Sequence, residues 1–346
     1  MSVFLKIILG LAVAVLVAFL AVFADYRRFL DTPVDVLATG SVFEVRPGMA
    51  FGQISAALVD DGIIEDATYL QLYARFAGVA ARVQAGEYEI APGTTPITLL
   101  EKFVSGDVRL YSFTIVEGWT FRELLVALHT DVGVLNSMEF EDWPALLQGI
   151  EAPADYPEGL FLPETYRFPK GTSDVDLLRQ ASDLMQKTLA DEWLGRAPES
   201  PVASPYEALV LASLIEKETA LATERPRISG VFARRLEQRM RLQTDPTVIY
   251  GIGVEFNGNL TRKDMRTDTP YNTYTRAGLP PTPIALPGQA AINAALHPAA
   301  GTEVYFVATG LGDGSHQFSN TKAEHDAAVQ AYLLRLRAAR AQNRVE

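Results

Sequence analysis

The chain has 346 residues, 48% of them hydrophobic, a formal net charge of −12 and no cysteine. This length suggests about two domains with ample apolar content for a core, which excludes disorder as a global description. The acidic balance provides no basic surface for phosphates and so excludes nucleic acid as the expected partner; the absence of cysteine excludes a disulfide framework, a thiolate metal site and a cysteine nucleophile.

Ile7 to Ala24 is a run of 18 uncharged, apolar residues between Lys6 and Asp25, with Arg27 and Arg28 following. It is just long enough to cross a bilayer and reads as a retained single-pass anchor. A cleaved signal peptide ending at Val22-Phe23-Ala24 is the competing reading, although its apolar core would be unusually long. Residues 25–40 read as a linker.

Between Ser41 and Arg109 the pattern is that of a small mixed unit. Val42, Phe43 and Val45 read as a strand, and Ile54, Leu58 and Val59 recur at helical spacing. A second helix is expected over Ala67 to Phe76, a strand at Gly86 to Ile90 and a helix from Pro96 to Val104. Ser112 to Val116 reads as the strand that enters a larger domain, and Thr120 as the cap of a helix through Leu128. Val132 to Asp155 shows little pattern. Glu158 to Phe168, EGLFLPETYRF, is dense in aromatics and carboxylates and reads as a loop and short strand; Glu158 and Glu164 are candidates to line a sugar site. Leu177 to Trp193 is an amphipathic helix.

Ser204 to Thr219, SPYEALVLASLIEKET, carries the strongest local signals. Ser204 is an N-cap, Pro205 suits the first helical position, and Glu207 is placed to close a capping box. The helix is apolar almost all round, so burial is expected. At about 100° per residue, Leu211, Leu214, Ile215 and Glu218 share a stripe, while Glu216 points about 160° away from Glu218. A carboxyl desolvated among leucine and isoleucine holds its proton near neutral pH, as a general acid must. The alternative is a helix that ends before Glu218, with both glutamates in solvent or paired with Lys217, Arg225 or Arg227.

Thr223 is a candidate cap for the next helix, whose Ile228, Val231, Phe232, Leu236 and Met240 form a core stripe. Its Arg234, Arg235, Arg239 and Arg241 read first as a solvated face and second as a contact for anionic polymer or phospholipid. From Leu242 the chain reads as rigid loops rich in proline, aromatics and polar groups, a better binding surface than a linker. A helix at Ala290 to Leu296, a strand at Val304 to Val307, the stretch His316 to Thr321 and a terminal helix complete the α+β pattern. The four histidines, at 129, 297, 316 and 325, form no short-spaced ligand pair, and no metal site is expected.

The motifs ASLIEKET at 212–219, MRLQTDPTVIYG at 240–251, YNTY at 271–274, GLPP at 278–281, ALHP at 295–298 and HQFSN at 316–320 resemble the MltG (YceG-like) family of membrane-anchored endolytic murein transglycosylases. The likeness spans about residues 40–335, and EGLFLPETY at 158–166 is similar to a further family motif. It implies an inner-membrane anchor at residues 1–24, a LysM-like peptidoglycan-binding subdomain at 41–109 and a periplasmic catalytic domain at 110–346. It also implies no cofactor, glycan strands as substrate, peptidoglycan synthases as reasonable partners, and Glu218 as the catalytic acid, with Glu216 the position to test beside it. Candidates for glycan binding are Gln243, Thr244, Asp245, Tyr271, Asn272, Tyr274 and Asn320, with His297 and His316 as further possibilities. The implied reaction uses one carboxyl as acid and then base, leaving a 1,6-anhydro end. Two other readings stand beside it: a hydrolase with Glu164 or Asp245 as a second carboxylate, and a non-catalytic cell-wall scaffold.

Overall fold

The computed structural model describes residues 3–342, which divide into two compact units. One holds the chain to Tyr111 together with Arg167–Gly171; the other holds Ser112–Tyr166 and the chain from Thr172 onward.

The first unit opens with helix α1, Val3–Asp31, whose apolar stretch is wholly unburied. Residues 25–31 prolong this helix, where the sequence pattern suggested a linker, because Leu30 and then Val34 are drawn into the unit's core. Strand β1, Ser41–Val45, pairs antiparallel with β2, Gly86–Ile90, so that Phe43 stands opposite Tyr88. Between them lie α2, Phe51–Asp60, and α3, Ala67–Phe76; α4, Pro96–Ser105, follows. Alternation puts Phe43 and Val45 inside, and Phe103 of α4 meets both Phe43 and the edge of Tyr88, at 5.9 and 4.7 Å between ring centres. The buried Tyr88 hydroxyl donates to the Gln84 carbonyl at 2.7 Å, so its burial leaves nothing unpaired. Gly106 ends α4 in the left-handed conformation at φ 72°, which a residue with Cβ adopts only with strain.

Strand β3, Leu110–Thr114, leads to the second unit's first helix, α5, Phe121–Thr130, capped by Thr120. The weakly patterned stretch after it holds a two-residue strand, β4, Val134–Leu135, and a short helix, α6, Trp143–Gly149. Next come β5, Thr165–Pro169, β6, Thr172–Ser173, parallel to β4, and the long α7, Asp174–Leu194. Helix α8, Pro205–Glu218, is the centre of the unit: every residue from Ala208 to Ile215 is buried, as its all-round apolar pattern requires. Its Ser204 cap accepts from the Glu207 N–H at 3.2 Å, but Glu207 reaches back to Ala203 at 2.7 Å, one residue before the position a capping box would use. Helix α9, Arg225–Glu237, is preceded by Glu224, not by the expected Thr223, and takes no side-chain cap. Helix α10, Asp245–Ile252, lies within the stretch read as loop. Helix α11, Gln289–Leu296, packs on α8 and buries Ile292 together with Ala291, Ala294 and Ala295, three small residues that allow close approach. A hairpin of β7, Tyr305–Ala308, and β8, His316–Ser319, follows, with Phe306 opposite Phe318, and α12, Lys322–Gln342, ends the described chain.

Candidate active site

Helix α8 runs through Glu218 and stops there, because Thr219 turns to an extended backbone and its hydroxyl accepts from the Leu221 N–H at 3.0 Å. Glu218 is therefore the last helical residue, where its own helix dipole already disfavours a negative charge. Burial pushes its carboxyl up to about 7, and the nearby Asp245 adds to the rise, while a hydroxyl from Thr244 and the charges of His316 and Arg235 oppose it. Although its surface is not fully closed to solvent, the protein packed around it governs the ionisation.

The Thr244 hydroxyl donates to Glu218 Oε1. A short polar network fixes that threonine. Its N–H donates to Thr273 Oγ1 at 3.1 Å, its carbonyl accepts from Thr247 Oγ1 at 2.8 Å, and the Thr247 and Thr273 hydroxyls meet at 2.9 Å. Gln243, just before it, is held at φ 51°, a left-handed conformation that strains a non-glycine residue, and its N–H donates to the Thr273 carbonyl at 3.2 Å. Its side chain is exposed. Asp245 opens α10, is exposed, and accepts from the Tyr274 hydroxyl at 2.5 Å. Burial and then the Asp245 and Glu218 charges raise the pKa of Tyr274, which keeps it a donor.

Arg235 is the support that sequence reading placed in solvent. Only 6% exposed, it donates through Nε to the Val304 carbonyl and through Nη1 to the Leu242 carbonyl, both at 2.6 Å. It thus fastens the segment just before Gln243 and Thr244 while leaving a positive charge beneath Glu218. Arg234 is also removed from the solvated face: its Nε donates to the Glu303 carbonyl at 2.6 Å, whereas Arg239 and Arg241 remain exposed. His316 is gripped by Glu224, which accepts from its backbone N–H at 2.9 Å and meets Nδ1 at 2.7 Å. This clamps β8 to the loop that follows Glu218.

The remaining candidates fall elsewhere. Glu216 accepts from the Gly288 N–H at 3.0 Å and from Arg225 Nη2 at 3.3 Å, and Arg225 also reaches Glu117 at 3.5 Å. A Cβ on Gly288 would lie 1.9 Å from the Glu117 carboxyl, so a larger residue there would have to displace that side chain. Glu164 is exposed and lines a cleft of about 630 Å³ with Glu117, Glu192, Arg225, Gln289 and Asn293, on the Glu216 side of the helix end. Glu158 is 3% exposed and accepts from the Phe121 N–H at 2.8 Å and from the Tyr250 hydroxyl at 2.9 Å; burial raises it, too, to about 7. Tyr271 packs edgewise on Tyr250, 4.9 Å between ring centres, and its hydroxyl meets Thr282.

Asn272 is wholly buried. It spends its amide on the carbonyls of Asp264, Met265 and Thr267 and accepts from the Tyr274 N–H at 2.9 Å, so it organises the loop. Asn320 is exposed and accepts from the Thr302 hydroxyl. Both His297 ring nitrogens face carbonyls, those of Asn293 and Gly195, at 2.9 Å. Around Glu218 the structure thus assembles Thr244, Asp245, Tyr274, Arg235 and His316. Arg235 could have been suspected from its place on the same face as the buried Ile228 and Val231; Thr273 and Thr247 lie inside the motifs at 271–274 and 240–251, which was the signal that could have singled them out.

The profile of the YceG-like family matches residues 43–331. The endolytic murein transglycosylase of Bacillus subtilis (strain 168) is 29% identical over 329 residues, covering 89% of each chain. That of Streptococcus pneumoniae serotype 2 (strain D39 / NCTC 7466) is 26% identical over 344 residues, and the alignment covers 89% of this chain but 62% of the relative's length. The 2.6 Å crystal structure of a putative YceG-like protein from Listeria monocytogenes superposes with a TM-score of 0.51 at 28% identity, over 84% of this chain and 99% of that one.

Proposed function

The chain belongs to the YceG-like family, and from that premise we propose that it is an endolytic peptidoglycan transglycosylase, a lyase, in which Glu218 is the single acid and base. The observation that carries the reading is a carboxyl held protonated near neutral pH at a helix end, touched by one hydroxyl donor and bordered by a surface with Asp245 and Tyr274. The Glu218 proton goes to the glycosidic oxygen between N-acetylmuramic acid and N-acetylglucosamine, and the C1–O bond breaks with its electrons passing to that oxygen. The positive charge left at the muramyl C1 and ring oxygen is stabilised by carboxylates nearby, Asp245 among them. The Glu218 carboxylate then removes the proton from the muramyl C6 hydroxyl, whose oxygen bonds C1. A 1,6-anhydro end results, no water is consumed, and Glu218 regains its proton. Thr244 orients the carboxyl and lowers its pKa toward the range in which both steps run.

In this reading α1 anchors the enzyme in the bacterial inner membrane by a single pass, the second unit works in the periplasm, and the small strand-and-helix unit serves as a LysM-like hold on glycan. Gln243 and Tyr274 are exposed or half-exposed beside Glu218 and are the nearest candidates for sugar contacts. Action on nascent strands would place peptidoglycan synthases among its partners. The test is digestion of uncrosslinked glycan strands by the full chain, with mass spectrometry of the new ends, beside Glu218→Gln. Internal fragments with 1,6-anhydro ends, absent from the variant, are expected. Reducing ends would instead assign a hydrolase, with Asp245 the second carboxylate, because Glu164 lies on the other cleft.

A further inference from the structure

We propose that the exposed end of α3 is a membrane-docking surface, seated in the headgroup region of the same bilayer that α1 crosses. The inference rests on reading α1 as a membrane anchor. The uncharged run of α1 ends at Ala24, so Asp25 marks the edge of the hydrocarbon. The two helical turns beyond it are built into the small unit. Tyr69 of α3 donates its hydroxyl to Asp25 at 2.9 Å, its ring packs edgewise on Tyr26 and Phe29 at 5.6 Å each, and Leu30 is buried. There is no slack between anchor and unit, and α3 begins at the membrane edge.

Leu72 and Phe76 lie three and seven residues after Tyr69, on the same stripe of α3. Both are exposed, Phe76 by 81%. Seven residues of helix advance about 10 Å, more than the roughly 5–8 Å depth of the headgroup layer on one side, so the docked state is one in which α3 runs along the membrane surface from Asp25. The chain continues as Ala77-Gly-Val-Ala-Ala81, small and apolar, and is bracketed by Arg75 and Arg82, both exposed. Neither arginine is paired with a carboxylate among the described residues. The acidic neighbours, Glu65 and Asp66, stand at the opposite end of α3. A large aromatic flanked by free arginines, in a protein of net charge −12, matches an anionic lipid surface in both its apolar and its charged parts. Docked in this way, the small unit would hold a fixed height and orientation on the membrane.

The absence of native cysteine allows single-site labelling. The full chain carrying Phe76→Cys, and separately Leu72→Cys or Val17→Cys, is labelled with an environment-sensitive fluorophore. Each is reconstituted into vesicles of phosphatidylethanolamine and phosphatidylglycerol, with or without nitroxide-bearing lipid. Labels at 76 and 72 are expected to shift to the blue and to lose half or more of their emission to the nitroxide, as the label at 17 does. A quenched label at 17 beside water-like labels at 72 and 76 overturns the docking surface and leaves the anchor standing. An unquenched label at 17 overturns both. A blue-shifted label at 76 that nitroxide lipid does not quench means that protein covers the face, which also overturns the proposal.

Discussion

Glu158 and Glu218 are buried carboxyls pushed to the same value, about 7, yet their surroundings equip them for opposite tasks. Glu158 faces the N-terminus of α5, accepting from its first N–H and from the Tyr250 hydroxyl, so both oxygens are occupied and the helix dipole welcomes its charge. Glu218 closes the C-terminus of α8, receives one hydroxyl, from Thr244, and lies beside the exposed Asp245. Burial alone therefore does not mark a catalytic acid. What separates the two is which end of a helix each carboxyl faces and whether an oxygen remains free to exchange a proton with a substrate.

The largest expected effect breaks this comparison cleanly. Glu218→Gln keeps the shape and the Thr244 contact but removes the proton, and transglycosylase activity on glycan strands should fall about 10³-fold with thermal stability preserved. Glu158→Gln should leave turnover per folded molecule within about threefold, since a saturated carboxyl meets no substrate. Comparable loss of turnover in a folded Glu158→Gln protein would end the distinction.

The orientation of the two glutamates around Lys217 was legible because Ser204 and Pro205 fix where α8 starts, and a helix of known phase tells each side chain its direction. The all-round apolar pattern likewise marked α8 as central. The support of the site was not legible, because its decisive contacts, Thr244 to Glu218 and Thr273 to Thr244, join residues 26 and 29 apart. Nothing local says that Thr273 will meet Thr244, and although Asn272 finds its three carbonyls only five to eight residues away, no regular period marks them. Helix α10 was hidden because Asp245-Pro246 resembles a turn as much as a helix start, and Arg235 was misread because an arginine stripe on a helix is solvated in most proteins. Glu158 looked like a sugar ligand for the same reason: the tyrosine that satisfies it lies 92 residues away.

The pH dependence sharpens the comparison next. Both carboxyls titrate higher in the folded protein than their ordinary 4.5, so the stability each contributes is fully present below pH 4.5 and is lost as pH rises through about 7. For Glu158 the loss is on the order of 3 kcal/mol. Thermal unfolding followed between pH 4.5 and 8 should show a flatter profile for Glu158→Gln, and again for Glu218→Gln. Activity separates them. It should fall tenfold per unit above about pH 7 as Glu218 loses its proton, and Glu158→Gln should leave that limb in place. Thr244→Val removes the donor that favours the Glu218 carboxylate, so the limb should move upward and kcat fall about tenfold.

Tyr250→Phe is the smallest and the most discriminating change. It deletes the hydroxyl that Glu158 accepts and leaves the ring edge on Tyr271 in place. At pH 5 Glu158 is protonated in wild type and variant alike, and losing one hydrogen bond should cost about 1 kcal/mol, read as a lower unfolding midpoint. Above pH 7 the ionised carboxylate would lack its second donor, so the deficit should widen, by up to about 1–2 kcal/mol more. The transglycosylase pH profile should not move, because Glu218 takes its proton-holding character from its own burial and from the nearby Asp245, with Thr244 opposing them. A shift of that profile in Tyr250→Phe would mean that the two carboxyls titrate as a coupled pair, and that the aromatic cluster around Tyr250 belongs to the active site.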